Sequence, residues 1–244
     1  MLEATSNPDK PSGNPRMEEA EARIKVGSFL QFVKQVDAAR GSDVLIGPVI
    51  DKLYFQEVKP LAQSRISKLF RRPLGDQVDM SAFRQKTLTE ALQQGSSYAK
   101  IALLKEVMPC FESLGGGDLV QNFARVIDYD FSTGEPRQEE REELTKEQAH
   151  VKVGGLLQAI KETDAQKREV SGRGLVPDIS VAVDAALRNF PNLRGDLDYL
   201  LQRQGLSAMK AQLLMKIMPR YSPHVKGGID SDLAKIIDYK PSSQ

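Results

Sequence analysis

The chain has 244 residues, 40% of them hydrophobic and 27% charged, with 34 Lys and Arg against 33 Asp and Glu and a net charge of +1. That balance excludes a strongly basic nucleic-acid coat and a strongly acidic disordered chain, and the length permits a buried core without disulfides. One cysteine, Cys110, leaves no intrachain disulfide and no thiolate metal cage, and only His150 and His224 are available as imidazole bases.

Residues 1–16 hold three Pro, two Asn and two Ser with almost no apolar content, so a disordered tail is expected there. They lack the apolar run of a secretory signal, and no stretch of the chain approaches 18 consecutive apolar residues. These features point to a cytoplasmic protein. Export through an unstructured amino-terminus is the weaker alternative.

From residue 17 onward the chain repeats itself. Residues 17–38 align without gaps on 144–165 with nine of 22 positions identical, the cores reading IKVGSFLQFVKQVDA and VKVGGLLQAIKETDA. Residues 91–129 align on 201–239 with 13 of 39 identical, from Gly95/Gly205 through Met108-Pro109/Met218-Pro219 to Asp128-Tyr129/Asp238-Tyr239. Ordinary residue usage gives roughly one identity in sixteen. The same blocks in the same order therefore indicate an internal duplication, 17–129 and 144–239.

Each segment reads as helical. Val26, Phe29, Leu30, Val33 and Val36 fall at helical spacing, as do Val153, Leu156, Leu157 and Ile160. Pro48 and Pro177 suit the first turn of a second helix, which Lys59-Pro60 and Phe190-Pro191 end. A third helix is expected near 81–94 and 195–204, ending at Gly95 and Gly205. A fourth follows near 97–108 and 207–218, closed by Pro109 and Pro219. A last short helix starts near Asp118 and Asp230, which suit the N-cap, and carries Leu119, Phe123, Val126 and Ile127 on one side. Leu103, Leu104 and Met108, with Leu213, Leu214 and Met218, are expected in the core. The fold class is all-α, two tandem homologous helical bundles of about five helices each, with no hairpin signature. Residues 130–143 read as an acidic linker and 240–244 as a tail. Residues 135–148 carry six Glu against two Arg and one Lys, and RQEEREELTKEQ has helix formers enough to open the second bundle.

The candidate chemistry is sparse. Cys110 follows a helix-closing proline and reads as a structural thiol. Glu147 and His150 share a helix face, but a di-iron bundle needs two such pairs and two more Glu, and the aligned residues are Ala20 and Arg23. No metal or cofactor is therefore expected. The glycines of GGGD (115–118) and KGGID (226–230) match no phosphate-loop pattern and read as a loop of varied length. Gly27 and Gly154, inside helices, suggest a close helix crossing. The polar residues common to both copies include Gln31, Lys34 and Asp37 with Gln158, Lys161 and Asp164.

One feature breaks the repetition. The first copy is 113 residues and the second 96, and the excess falls around 60–80. There Lys59, Arg65, Lys68, Arg71 and Arg72 occur with no acidic residue between them, on an amphipathic pattern with Ala62, Ile66, Leu69 and Phe70. These five residues are the candidate surface for a partner or an anion. The leading reading is a non-enzymatic protein–protein interaction module, an adaptor, scaffold or regulatory subunit with an unidentified protein partner. The alternatives are a nucleic-acid or anionic-surface binder working through helix 59–72 and a small-ligand or lipid carrier with an apolar pocket in each bundle.

Overall fold

A computed structural model describes residues 17–38, 80–108, 119–137, 142–171, 179–220 and 229–241. Among the described residues nine α-helices make up nearly all the regular structure, so the chain is all-α. In the N-terminal half these are α1 (Glu19–Ala38), α2 (Met80–Gln94), α3 (Ser96–Val107) and α4 (Leu119–Asp128). In the C-terminal half they are α5 (Lys146–Ser171), α6 (Ile179–Asn189), α7 (Leu193–Gln204), α8 (Leu206–Ile217) and α9 (Ile229–Asp238). The helix expected after Pro48, the basic segment 59–72, Cys110, His224 and the glycines at 115–117 and 227–228 lie outside the described residues.

Helix boundaries follow local chemistry. Thr145 and Gln148 form a reciprocal capping box: the Thr145 hydroxyl accepts the Gln148 amide at 3.2 Å, and the Gln148 side chain accepts the Thr145 amide at 2.9 Å. That fixes the start of α5 at Lys146 and leaves residues 142–145, the end of the acidic run, outside the helix. Helix α6 stops at Asn189, ahead of Phe190-Pro191, as the sequence suggests. Pro219 lies in a single 3-10 turn, Met218–Arg220, that closes α8. Asp230 is not the N-cap of α9. Ile229 is buried as the first helical residue, which places Asp230 in the first turn, where its carboxylate meets the Lys105 ammonium of α3 at 2.5 Å.

The segment read as a linker from residue 130 begins with a hairpin. Strands β1 (Tyr129–Asp130) and β2 (Glu135–Pro136) pair antiparallel, Tyr129 opposite Pro136 and Asp130 opposite Glu135. Gly134, at φ 75°, supplies the left-handed residue of the turn. The Asp130 carboxylate accepts the Ser132 amide at 2.8 Å, the Ser132 hydroxyl at 2.5 Å and Arg137 Nε at 2.9 Å. Those donors, Ser132 first, hold the Asp130 carboxyl down at about 2. Phe131 anchors the turn in the core. Strands two residues long carry no alternation, so the hairpin leaves no periodic trace in the sequence.

Buried residues of both halves form one hydrophobic cluster that includes Leu103, Leu104, Met108, Leu213, Leu214 and Met218, as their helical spacing predicts. Helix α2 packs on α3, and α7 on α8, each pair joined through a single glycine. The short last helices behave differently. Helix α4 packs chiefly on α8 of the C-terminal half, and α9 packs chiefly on α3 of the N-terminal half. The two halves are thus interlocked by reciprocal exchange of their last helices. Gly27 and Gly154 mark no tight backbone crossing: a Cβ at Gly27 lies 3.7 Å from the Gln85 amide nitrogen, and one at Gly154 lies 3.1 Å from Arg194 Nη2. The crowded glycine is Gly155, where a Cβ approaches the Tyr239 hydroxyl at 2.9 Å.

Gly95 (φ 145°, ψ 159°) and Gly205 (φ 98°, ψ 179°) occupy backbone conformations that L-residues with a Cβ avoid. Gly195, inside α7, has open space around its Cβ position. In urea unfolding, Gly95→Ala and Gly205→Ala each lower stability by about 1–3 kcal/mol, whereas Gly195→Ala raises it by up to about 1 kcal/mol. Equal effects at all three positions contradict this account of the junctions.

Candidate functional site

The interlock is built around a polar cluster. In α3, Ser97 and Lys100 stand one turn apart on the same face, as do Ser207 and Lys210 in α8, and all four are buried. The Ser97 hydroxyl donates to the Asp238 carboxylate at the end of α9, and the Ser207 hydroxyl donates to Asp128 at the end of α4. Each carboxylate therefore lies at the N-terminus of a helix of the other half, where unpaired amides favour negative charge. The Lys100 ammonium donates to the Ile127 carbonyl, and Lys210 to the Ile237 carbonyl. Each cation thus caps the C-terminus of the last helix of its own half, the end that favours positive charge. Burial pushes the Lys100 amine down to about 8, against the pull of Asp128, Asp238 and Asp130.

A hydroxyl and an amine at this spacing invite a nucleophilic reading. Their partners argue for a different role. The hydroxyls donate to carboxylates and the amines donate to backbone carbonyls, which joins helix ends and leaves each group committed. These residues were within reach of the sequence. Ser97/Ser207 and Lys100/Lys210 are identical between the aligned blocks, and polar residues kept in otherwise apolar helices are a recognisable signal.

Matched tyrosines close the two halves. The Tyr129 hydroxyl donates to Ser28 Oγ on α1 at 3.0 Å, and the Tyr239 hydroxyl lies against Gly155 on α5, the residue aligned with Ser28. Burial raises the Tyr239 phenol above its ordinary value, with Lys152 opposing. In the N-terminal half Tyr129 joins an aromatic cluster, its ring 4.8 Å from Phe29, 5.2 Å from Phe32 and 5.1 Å from Phe131. In the C-terminal half Leu156 and Ala159 replace Phe29 and Phe32, and a cavity of about 40 Å³ remains, lined by these two with Ile160, Ile179, Ile236 and Tyr239 among others. A lipid or drug-sized ligand needs a pocket of several hundred Å³, so this cavity does not enclose one.

No protein-family model, curated protein or solved structure matches this chain. Its function is therefore read from its own surfaces.

Few of the residues singled out by the sequence have described side chains. Lys59, Arg65, Lys68, Arg71 and Arg72 lie outside the described residues, as do the side chains of Lys34, Asp37 and Asp164. Gln31 and Gln158 are exposed on α1 and α5, and Gln158 donates to Glu162 at 3.0 Å. Lys161 pairs with Asp184 of α6 at 3.1 Å, an exposed ion pair of small energetic weight. His150 does not act with Glu147: its Nδ1 lies 2.7 Å from the buried Asp198 carboxylate, a link between α5 and α7. Among the described residues no group of three or more His, Cys, Asp or Glu could hold a metal ion, and no helix is long and apolar enough to cross a membrane. The sequence reading also missed Ile24 (74% exposed) and Val151 (59% exposed), which occupy aligned positions on α1 and α5. Both are β-branched apolar residues directed at solvent.

Because Lys100 titrates near 8 in the folded chain, against 10.5 for the free side chain, the unfolded chain holds more protons between those values. Its contribution to stability therefore rises with pH across that window and is constant below it. Urea unfolding at about pH 7 and about pH 10 shows wild type gaining about 2 kcal/mol relative to Lys100→Met at the higher pH. An unchanged difference at the two pH values contradicts the assignment.

Proposed function

We propose that the chain is a non-enzymatic helical protein–protein interaction module, an adaptor, scaffold or regulatory subunit, derived from a tandem duplication. The duplication reading is supported by the aligned sequence blocks together with the matched Ser–Asp and Lys–carbonyl bonds of the two halves. In this reading the halves are related by a pseudo-two-fold axis through the polar cluster, as in a dimer with exchanged terminal helices whose subunits became one chain.

The observation that carries the interaction reading is the exposed helix face repeated in both halves. On α1 it runs Ile24, Ser28, Gln31; on α5 it runs Val151, Gly155, Gln158. Spacings of four and three residues keep each trio on one side of its helix. On each face the small residue meets the tyrosine hydroxyl of its own half, and the apolar residue and the glutamine on either side of it are exposed, which suits an apolar contact with a partner and an amide hydrogen bond. Two equivalent faces make the module bivalent, which raises avidity when both engage partners on one assembly.

The Ile24→Glu/Val151→Glu double variant tests this. Both residues are at the surface, so stability changes by no more than about 0.5 kcal/mol. Proteins recovered with the tagged wild-type chain from native lysate are lost with the double variant and reduced with either single variant. Recovery of the same proteins at the same yield by all four chains overturns the reading.

A second reading rests on the sequence alone: Lys59, Arg65, Lys68, Arg71 and Arg72 form a local positive run without an acidic neighbour. Binding of a nucleic acid or anionic surface through it falls steeply with added salt and is lost when Arg65, Lys68 and Arg72 are replaced by Gln.

A further inference from the structure

The polar bonds at the centre of the interlock are the same in both halves. Ser97 and Ser207, Asp128 and Asp238, Lys100 and Lys210 are identical at aligned positions, and their bonds repeat. Residues that are alike in both halves cannot tell one half from the other. By these bonds alone, α9 fits α3 of its own chain or α8 of a second copy, and α4 fits α8 of its own chain or α3 of a second copy. The Lys105–Asp230 ion pair breaks that equivalence. It joins α3 to the first turn of α9 at 2.5 Å. The aligned positions on α8 and α4 are Met215 and Val120, both partly buried against the core. One junction of the interlock thus carries an ion pair where the equivalent positions of the other are apolar.

We infer that Lys105, Asp230, Met215 and Val120 select the partner of each terminal helix, so that the chain closes unlike half against unlike half and like halves of two copies do not associate. The inference rests on the duplication reading, which makes the two junctions equivalent. In the closed chain Lys105 faces Asp230, and Met215 stands at the junction that carries Val120. Association of two N-terminal halves sets Lys105 of each copy against Val120 of the other. Association of two C-terminal halves sets Met215 against Asp230. Each such junction crowds a charge against an apolar side chain and withholds the opposite charge, which penalises the wrong pairing more than it strengthens the right one. Lys105 and Asp230 are both partly exposed, so the preference at a single junction is modest. It accumulates because every junction of a like-half dimer is mismatched.

The test moves the carboxylate from one terminal helix to the other. In the Val120→Asp/Asp230→Val chain the closed form has neither matched pair, whereas like-half association of two copies gives Lys105 a carboxylate and Met215 an apolar neighbour. Adding Lys105→Met and Met215→Lys moves the amine as well and returns both matched pairs to the closed form. Tethered halves see each other at roughly millimolar effective concentration, so full-length chains are refolded from urea at about 1 mM and their masses measured by sedimentation. Wild type and the four-substitution chain are expected to be monomeric, and the two-substitution chain to be enriched in dimer by at least about fivefold. Exchange of unlike halves between copies keeps the matched pairs of wild type and of the four-substitution chain, so these two set the baseline. The inference is overturned if the two-substitution chain is no more dimeric than wild type, or if the four-substitution chain is as dimeric as the two-substitution chain. If the two-substitution chain does not fold, the four-substitution chain decides: folding to a monomer supports the selection, and failure to fold overturns it. The recovery of partners through Ile24 and Val151 leaves these four positions untouched and is read separately.

Discussion

The exchange of terminal helices is the constraint on which the rest of the structure depends. Helices α4 and α9 are each only 10 residues long, too short to hold together alone in water. Each buries one face against the central helix of the opposite half, and each ends in a carboxylate placed at that helix's N-terminus. The lysines of the same central helices return a cation to the carbonyl ends of α4 and α9. Every helix end at the centre thus meets the charge that its dipole favours, and neither half completes its core without the other.

That arrangement also explains why the central polar residues are poor candidates for catalysis despite their chemistry. A buried ammonium and a buried hydroxyl are costly unless every donor is used. Lys100 and Lys210 offset part of that cost at helix-terminal carbonyls, and Ser97 and Ser207 donate to carboxylates, while the lowered Lys100 amine shows that desolvation still outweighs its partners. Distinct behaviour is left to the periphery. There Ile24 of α1 and Val151 of α5 face solvent, and Tyr239 lines a small cavity where Tyr129 stands among rings.

Much of the architecture was legible in the sequence because helical periodicity and punctuation are local signals. The junctions at Gly95 and Gly205, the end of α6 before Phe190-Pro191, and the buried faces of α3 and α8 all follow from residues within one or two turns. The hairpin escaped because its stability comes from Asp130 gathering Ser132 and Arg137, and from Phe131 reaching a core assembled elsewhere. The pairing of His150 with Asp198 escaped because 48 residues separate them, while Glu147, only three residues away, suggested a closer partner.

The sequence by itself determined the all-α class, the order and approximate limits of the described helices and most of the core, since each depends on propensity and spacing along one segment. It also carried the identities between the halves, including the serines and lysines at their centre. Only the tertiary structure decided that the last helices cross over, that Ser97 meets Asp238 and not Asp128, that Ile24 and Val151 face solvent, and that Tyr239 stands over a gap where Tyr129 stands among rings. Those outcomes depend on which faces of distant helices meet. A one-dimensional pattern gives each helix its apolar stripe but does not say which of several similar stripes it will bury against.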